Sequence, residues 1–306
     1  MTVAVEAAIR AAPPSPKAAA TPNPLLTAPI FGTLVRLSLP NMIAMVATAL
    51  VAVAETVYVG FLGTPALAGI ALVFPMVMLQ QMMSAGAMGG GIASAIARAL
   101  GARRGDDANA LVFHALVIAV LFGAVFTAVL LVFGRALYAR MGGTGASLDA
   151  ALVYSGWVFA GAVIIWVFNA LSAVIRGTGN MAVPAGVATA GLVLLLPLSP
   201  LLIFGWGPVP ALGIAGGAVA LLVYYVLGTL ALVAYLRSPR SLMRLSWAHA
   251  RLRWPLFQDI LRVGLVAAVS TIATNLCIGI ATAFAGAFGP AAIAGYGTAS
   301  RLEYLL

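Results

Sequence analysis

Along most of the chain, apolar residues come in blocks of roughly 20 or more, the length needed to cross a hydrocarbon core about 30 Å thick. Short polar or glycine-rich breaks divide them into seven expected spans: Leu37 to Leu62, Leu67 to Ala97, Leu111 to Phe133, Ala151 to Ile175, Ala182 to Phe204, Gly213 to Leu236 and Ile260 to Phe288. An eighth begins near Ala291 and stops short of a full crossing. The pattern predicts an all-α membrane protein, a polytopic helical bundle. Ahead of it, residues 1–33 carry Pro13, Pro14, Pro16, Pro22 and Pro24 in alanine-rich filler. They lack the uninterrupted apolar core of a signal peptide and read as a disordered cytoplasmic tail.

Composition strengthens this picture. Hydrophobic residues make up 63% of the 306 positions and charged residues only 8%, whereas soluble domains run near a quarter charged. The net charge of +9 would suit nucleic acid if it formed one surface, but it lies almost wholly in the breaks between spans. With the N-terminus inside, thirteen basic residues fall on the inner side, from Arg10, Lys17 and Arg36 through Arg98, Arg103, Arg104 and Arg176 to the run Arg237–Arg262. The outer breaks hold only Arg135 and Arg140. That bias is the positive-inside signature, so the basic excess calls for no nucleic acid. The expected place is the cell membrane, multi-pass, with a cytoplasmic N-terminus.

The chain also repeats itself. A shift of 226 residues lays Arg36–Gly69 on Arg262–Gly295 with eleven of 34 positions identical, among them Gly60, Gly63 and Gly69 on Gly286, Gly289 and Gly295. Six spans separate the copies, an even number, so the copies share one orientation. That is the parallel-repeat plan of some transporters, with two like halves around a central site. The expected organisation is a tail (1–33), an N-terminal six-helix lobe (34–236), a basic cytoplasmic linker (237–258) and the start of a second, duplicated lobe (259–306), whose remainder is expected as a partner. The linker, with Arg240, Arg244, Trp247, His249 and Arg251, suits either an amphipathic helix on anionic headgroups or a solvated connector. Membrane lipids are expected partners.

Chemistry-bearing residues are few. Asn41, Thr48 and Glu55 recur every seven residues on span one, nearly two helical turns, so they share one face. An ionised acid facing lipid at mid-membrane costs about 2.5–3.5 kcal/mol even on the lower scales, so the stripe should face a wet cavity. Glu55 lies seven residues from Leu62, roughly 10 Å along the axis, inside the hydrocarbon but off its centre. On span five, Pro197-Leu198-Ser199-Pro200 removes two backbone donors, and a kink or unwound stretch is expected there, a hinge beside the site. Gly86, Gly90 and Ser94 on span two suggest a smooth ridge for close helix approach. His114 and His249 have no Cys, Asp or Glu at ligand spacing, and Cys277 reads as a small buried hydrophobe; no metal site is expected. Nothing resembles a zinc-binding His-Glu-x-x-His helix, paired membrane aspartates or a nucleophile with its histidine, so an intramembrane enzyme lacks its parts.

Several stretches carry a resemblance. Glu55-Thr56-Val57-Tyr58-Val59-Gly60, Arg176-Gly177-Thr178-Gly179-Asn180, Pro200-Leu201-Leu202-Ile203-Phe204-Gly205, Ala294-Gly295-Tyr296-Gly297 and Arg301-Leu302-Glu303, in this order and spacing, resemble the multidrug and toxic compound extrusion (MATE) exporters. The resemblance implies twelve helices in two six-helix lobes and export of cationic or amphiphilic small molecules in exchange for protons or sodium, with no other cofactor. It implies an Asp at the place of Glu55, which makes Glu55 the expected cation-coupling residue and Asn41, Thr48 and Tyr58 its cavity-lining neighbours. Many members hold a second Asp where this chain has Ser199 and an Asn where it has Leu195, departures that count against a sodium site of several oxygen ligands. A lipid or lipid-linked glycan flippase of related fold is the nearer rival. That function calls for cationic residues along the cavity, which the first lobe's span interiors do not offer.

Overall fold

The structure, a computed structural model, describes residues 29–243 and 252–303. Residues 1–28 of the expected tail and the centre of the linker, His249 included, lie outside these residues; the tail's last residues, Ile30–Thr33, are not disordered but already helical, the opening turn of α1. Apart from one isolated bridge between Trp206 and Val209, every regular element among the described residues is helical. They run α1 (Ile30–Gly60), α2 (Thr64–Gln81), a π-helical segment (Met82–Met88), α3 (Gly89–Gly101), α4 (Gly105–Arg140), α5 (Gly145–Ala160), α6 (Ala162–Gly177), α7 (Ala182–Phe204), α8 (Ile214–Arg237), α9 (Trp254–Gly286) and α10 (Pro290–Glu303).

The chain divides into two units, Met1–Leu39 and Pro40–Leu306. In the first, the described residues are the opening turns of α1, where the Thr33 and Ser38 hydroxyls donate to the carbonyls of Pro29 and Leu34 at 2.9 and 2.8 Å. All that follows concerns the second. Among the described residues six helices are long and apolar enough to cross a membrane, and the bent pair α5–α6 meets the same length and apolarity when taken together as one span.

Apolar burial between helices gives little drive in lipid, whose tails are as apolar as leucine, so close packing of small residues carries the association. Glycines show where it happens. A Cβ on Gly161 would overlap the Leu222 side chain of α8, and at this glycine the expected fourth span breaks into α5 and α6 with a bend of 49°. The Thr127 hydroxyl of α4 donates to the Phe159 carbonyl beside the break at 2.7 Å. Against α6 lies the aromatic centre of the bundle, Trp166 stacked on Phe122 at 5.3 Å and tilted on Phe126 at 5.8 Å.

The ridge expected on span two is corrected. Gly86 and Gly90 are exposed, with nothing near a Cβ built on either. Contact runs through the neighbouring glycines instead. A Cβ on Gly91 would fall 2.5 Å from the Ile260 carbonyl oxygen and 3.1 Å from the Gly264 nitrogen of α9. The π-helical turn is wider than an α-turn, and a ridge counted at α-helical intervals through Ser94 does not survive it. Cys277 is likewise exposed rather than buried, because an apolar residue on a membrane helix needs no cover from protein.

The repeat is visible in the backbone. α1 ends at Gly60 and α2 starts at Thr64; α9 ends at Gly286 and α10 starts at Pro290. Between them Gly63 and Gly289 take φ of 99° and 94°, a left-handed conformation that glycine adopts at no steric cost. Each donates its N–H three residues back, to Gly60 and Gly286, at 3.1 Å. The neighbours of the two copies differ: α9 packs on the π-helical segment and α3, and α10 on α2.

His114 is fully buried. Its Nδ1 lies 2.8 Å from the Ala110 carbonyl and its Nε2 accepts from the Arg253 N–H at 2.9 Å, with Phe257 edge-on at 4.5 Å. Arg253 pairs with Asp107, and Arg98 with Asp259 at 3.9 Å. These bonds join the start of α9 to α3 and α4 at one end of the bundle, and explain a histidine with no ligand partners.

Candidate functional site

The seven-residue spacing on α1 brings Thr48 and Glu55 to one half-open cavity of about 220 Å³, lined by α1, α2, α5, α6, α7 and α8. The side chain of Asn41 lies outside the described ones. Thr48 donates its hydroxyl to the Ala44 carbonyl one turn back at 2.8 Å, so it presents mainly its oxygen and methyl group. Glu55 is half-buried, with Oε1 shielded from solvent. Tyr58 does not line the cavity; it packs against the small cluster of Val59, Ala66, Ile70 and Ile203 that ties the end of α1 to α2 and α7.

Two further elements come to the carboxylate. A Cβ on Gly217 of α8 would lie 3.5 Å from Glu55 Oε2, 3.7 Å from Ile203 Cδ1 and 4.0 Å from Ser199 Oγ. Glu55 and Ser199 thus border one small space, open because residue 217 has no side chain. Ser199 is fully buried, and its hydroxyl has no hydrogen-bond partner among the described residues. α7 is helical throughout Pro197 and Pro200; the backbone is not unwound there. Pro197 faces outward and Ser199 inward. Leu195 lines the cavity as an apolar residue.

The remaining wall was not foreseen from the spacing of acids. Phe74, Tyr154, Tyr224 and Tyr225 line it with the amides of Gln80 and Gln81. Two doublets held the signal, Gln80-Gln81 and Tyr224-Tyr225, since polar side chains inside apolar spans are costly and usually face an interior. Gln80 is 2% exposed, and its Oε1 has no hydrogen-bond partner among the described residues. No basic side chain lines the cavity. A carboxylate beside aromatic faces attracts a cation by charge and by ring quadrupole. Among the described residues no group of three or more His, Cys, Asp or Glu could hold a metal ion. A larger, open groove of about 850 Å³ at the start of α9 has Asp259 as its acid, already paired with Arg98.

Comparison with known proteins gives consistent results. The family model described as MatE matches residues 40–201. A protein of Shewanella oneidensis named FAD transporter is 29% identical over 286 residues, covering 92% of this chain and 62% of its own. A probable multidrug resistance protein, NorM, of Deinococcus radiodurans is 33% identical over 197 residues, covering 60% of this chain and 41% of its own. Among solved structures, the inward-facing conformation of a multidrug resistance MATE family transporter superposes with a TM-score of 0.78 at 28% identity, over 88% of this chain and 61% of that one. The matched stretches therefore span about two-fifths to three-fifths of the length of these proteins.

Proposed function

The chain belongs to the MatE family, and we propose that its bundle carries the coupling and cargo site of a secondary transporter that exports cationic or amphiphilic small molecules in exchange for protons. One observation carries the reading: Glu55 is the acid at a cavity otherwise lined by aromatic, aliphatic and neutral polar side chains. Burial disfavours a charged carboxylate, and either a proton or a cationic cargo relieves that cost. The two therefore compete for one group, which is the exchange an antiporter needs. A ligand shifts a conformational equilibrium only by its differential affinity for the two states, and here that difference is concentrated on one side chain.

Proton rather than sodium coupling is supported by the single carboxylate. Glu55 is the one carboxylate lining the cavity, whose other oxygens belong to neutral hydroxyls and amides, and Leu195 is an apolar side chain in its wall. A flavin dinucleotide or a lipid-linked glycan would bring phosphate, which arginine or lysine normally meets, and none lines this cavity. The N-terminus is proposed to lie inside, on the basic-residue count.

The test is Glu55→Gln, which keeps the shape and removes the charge. In proteoliposomes with an imposed pH gradient it should lower export of a fluorescent aromatic cation at least about tenfold, the factor for about 1.4 kcal/mol, without loss of insertion. Glu55→Asp should retain part of the activity. Parental export by an inserted Glu55→Gln protein would refute the coupling role.

A further inference from the structure

Most buried polar side-chain atoms in a protein have a hydrogen-bond partner, and leaving one unpaired is costly. The glutamine doublet at the end of α2 divides on this point. Consecutive residues of a helix stand about 100° apart around its axis, so Gln80 and Gln81 meet different surroundings. Gln81 is supported from behind the cavity wall. Asn169 of α6, 5% exposed and not itself in the wall, donates its Nδ2 to Gln81 Oε1 at 3.2 Å and to Ser84 Oγ at 2.8 Å. Gln80 has no such support. It is 2% exposed, its Oε1 has no hydrogen-bond partner among the described residues, and its Nε2 donates to none of them.

Burial closes Gln80 to bulk solvent, and it lines the same cavity as Glu55. A partner for its amide therefore comes from the cavity. A primary amide carries a donor and an acceptor side by side. Its full complement is a group with the same two functions in the opposite order, a carboxamide or a lactam, which forms two reciprocal hydrogen bonds with it. Turning the Gln80 amide over exchanges donor and acceptor and leaves that complement the same. A ketone or an ammonium group meets only half of it. The cavity thus presents two kinds of polar contact from different helices, the charge of Glu55 on α1 and the amide of Gln80 on α2, with Phe74, Tyr154 and Tyr224 in the same wall to cover an aromatic ring.

We infer that Gln80 is a specificity-determining residue that pairs with the cargo through its amide, so that the site selects aromatic cations bearing a carboxamide or lactam. This rests on the reading that the cavity binds cargo. A site built to hydrogen-bond a ligand group discriminates against the analogue lacking it, because its own polar group is then left unpaired.

The test uses a matched pair of probes, the 4-carbamoyl and 4-acetyl derivatives of phenyltrimethylammonium, titrated calorimetrically into the whole chain in detergent micelles. The two are nearly equal in size and differ by NH2 against CH3, the donor that Gln80 Oε1 would accept from. The parental protein should bind the carbamoyl probe about five- to tenfold more tightly, the effect of one hydrogen bond. Gln80→Leu should bring the affinity ratio to one or below, because the NH2 of the probe then loses its water without finding a partner. A residue that merely fills space in the wall would change both affinities together and leave the ratio alone, and that result would overturn the inference. Equal parental affinities, or a parental preference for the ketone, would overturn it as well while leaving the cavity reading intact. Binding of neither probe by the parental protein would overturn the cavity reading and the inference with it. Should Gln80→Leu not fold, Gln80→Met, which keeps an unbranched side chain, decides by the same ratio.

Discussion

Two adjacent glycines on α8 separate the chemistry of the site from the packing that supports it. A Cβ on Gly217 meets Glu55 Oε2 at 3.5 Å, Ile203 Cδ1 at 3.7 Å and Ser199 Oγ at 4.0 Å, all ordinary contact distances. Gly217→Ala therefore strains nothing, and in a helix interior alanine is favoured over glycine by about 1 kcal/mol. Its methyl group takes the place from which a water or a cationic head would reach the carboxylate. Loss of one hydrogen bond to a charged group costs about 1.5–3 kcal/mol, which is about a 10- to 150-fold weaker binding of an aromatic cation. A Cβ on Gly216, by contrast, would overlap the Leu202 carbonyl of α7, so Gly216→Ala must part the two helices and should lower stability by about 1–3 kcal/mol. Affinity for 2-phenylethylammonium, whose N–H groups can donate to the carboxylate, and thermal unfolding, followed by tryptophan fluorescence, would be measured on both variants. Gly217→Ala should lose binding with an unchanged or higher unfolding temperature, and Gly216→Ala should unfold earlier. Parental affinity in Gly217→Ala would refute the placement of the cation beside Glu55.

Other expectations follow from the same geometry. Gly161→Ala should destabilise the bundle by about 1–3 kcal/mol through overlap with Leu222, and Leu222→Ala should restore much of the loss, read as unfolding temperature in single and double variants. His114→Ala removes the acceptor of the Arg253 N–H, an unpaired donor costing about 1–3 kcal/mol; trypsin should then cut after Arg253 several-fold faster, and an unchanged rate would show that the bond does not hold the start of α9. For topology, single cysteines at Ala102 and Ala146, both exposed, would be placed in a Cys277→Ser background. An impermeant thiol reagent on intact cells should label the Ala146 site alone, and labelling of the Ala102 site alone would invert the proposed orientation.

Periodicity and block length determined a great deal about this protein. Seven apolar blocks foretold the six long helices and the bent pair, and the shift of 226 residues foretold the turn that Gly63 and Gly289 share, since a turn needing a left-handed residue is written locally as glycine. The face shared by Thr48 and Glu55 was legible for the same reason: a helix imposes its register on its own sequence. What distant helices would bring to that face was not. Ser199 and Gly217 reach Glu55 only because α7 and α8 pack as they do, and Asn169 finds Gln81 across 88 positions of chain. The break at Gly161, the exposed ridge of Gly86 and Gly90, and the bond from Arg253 to His114 likewise depend on which helix lies opposite. In a membrane, apolarity says that a segment is buried in something but does not distinguish lipid from protein. Only the close approach of particular small and polar residues decides that, and it exists only once the helices have been brought together.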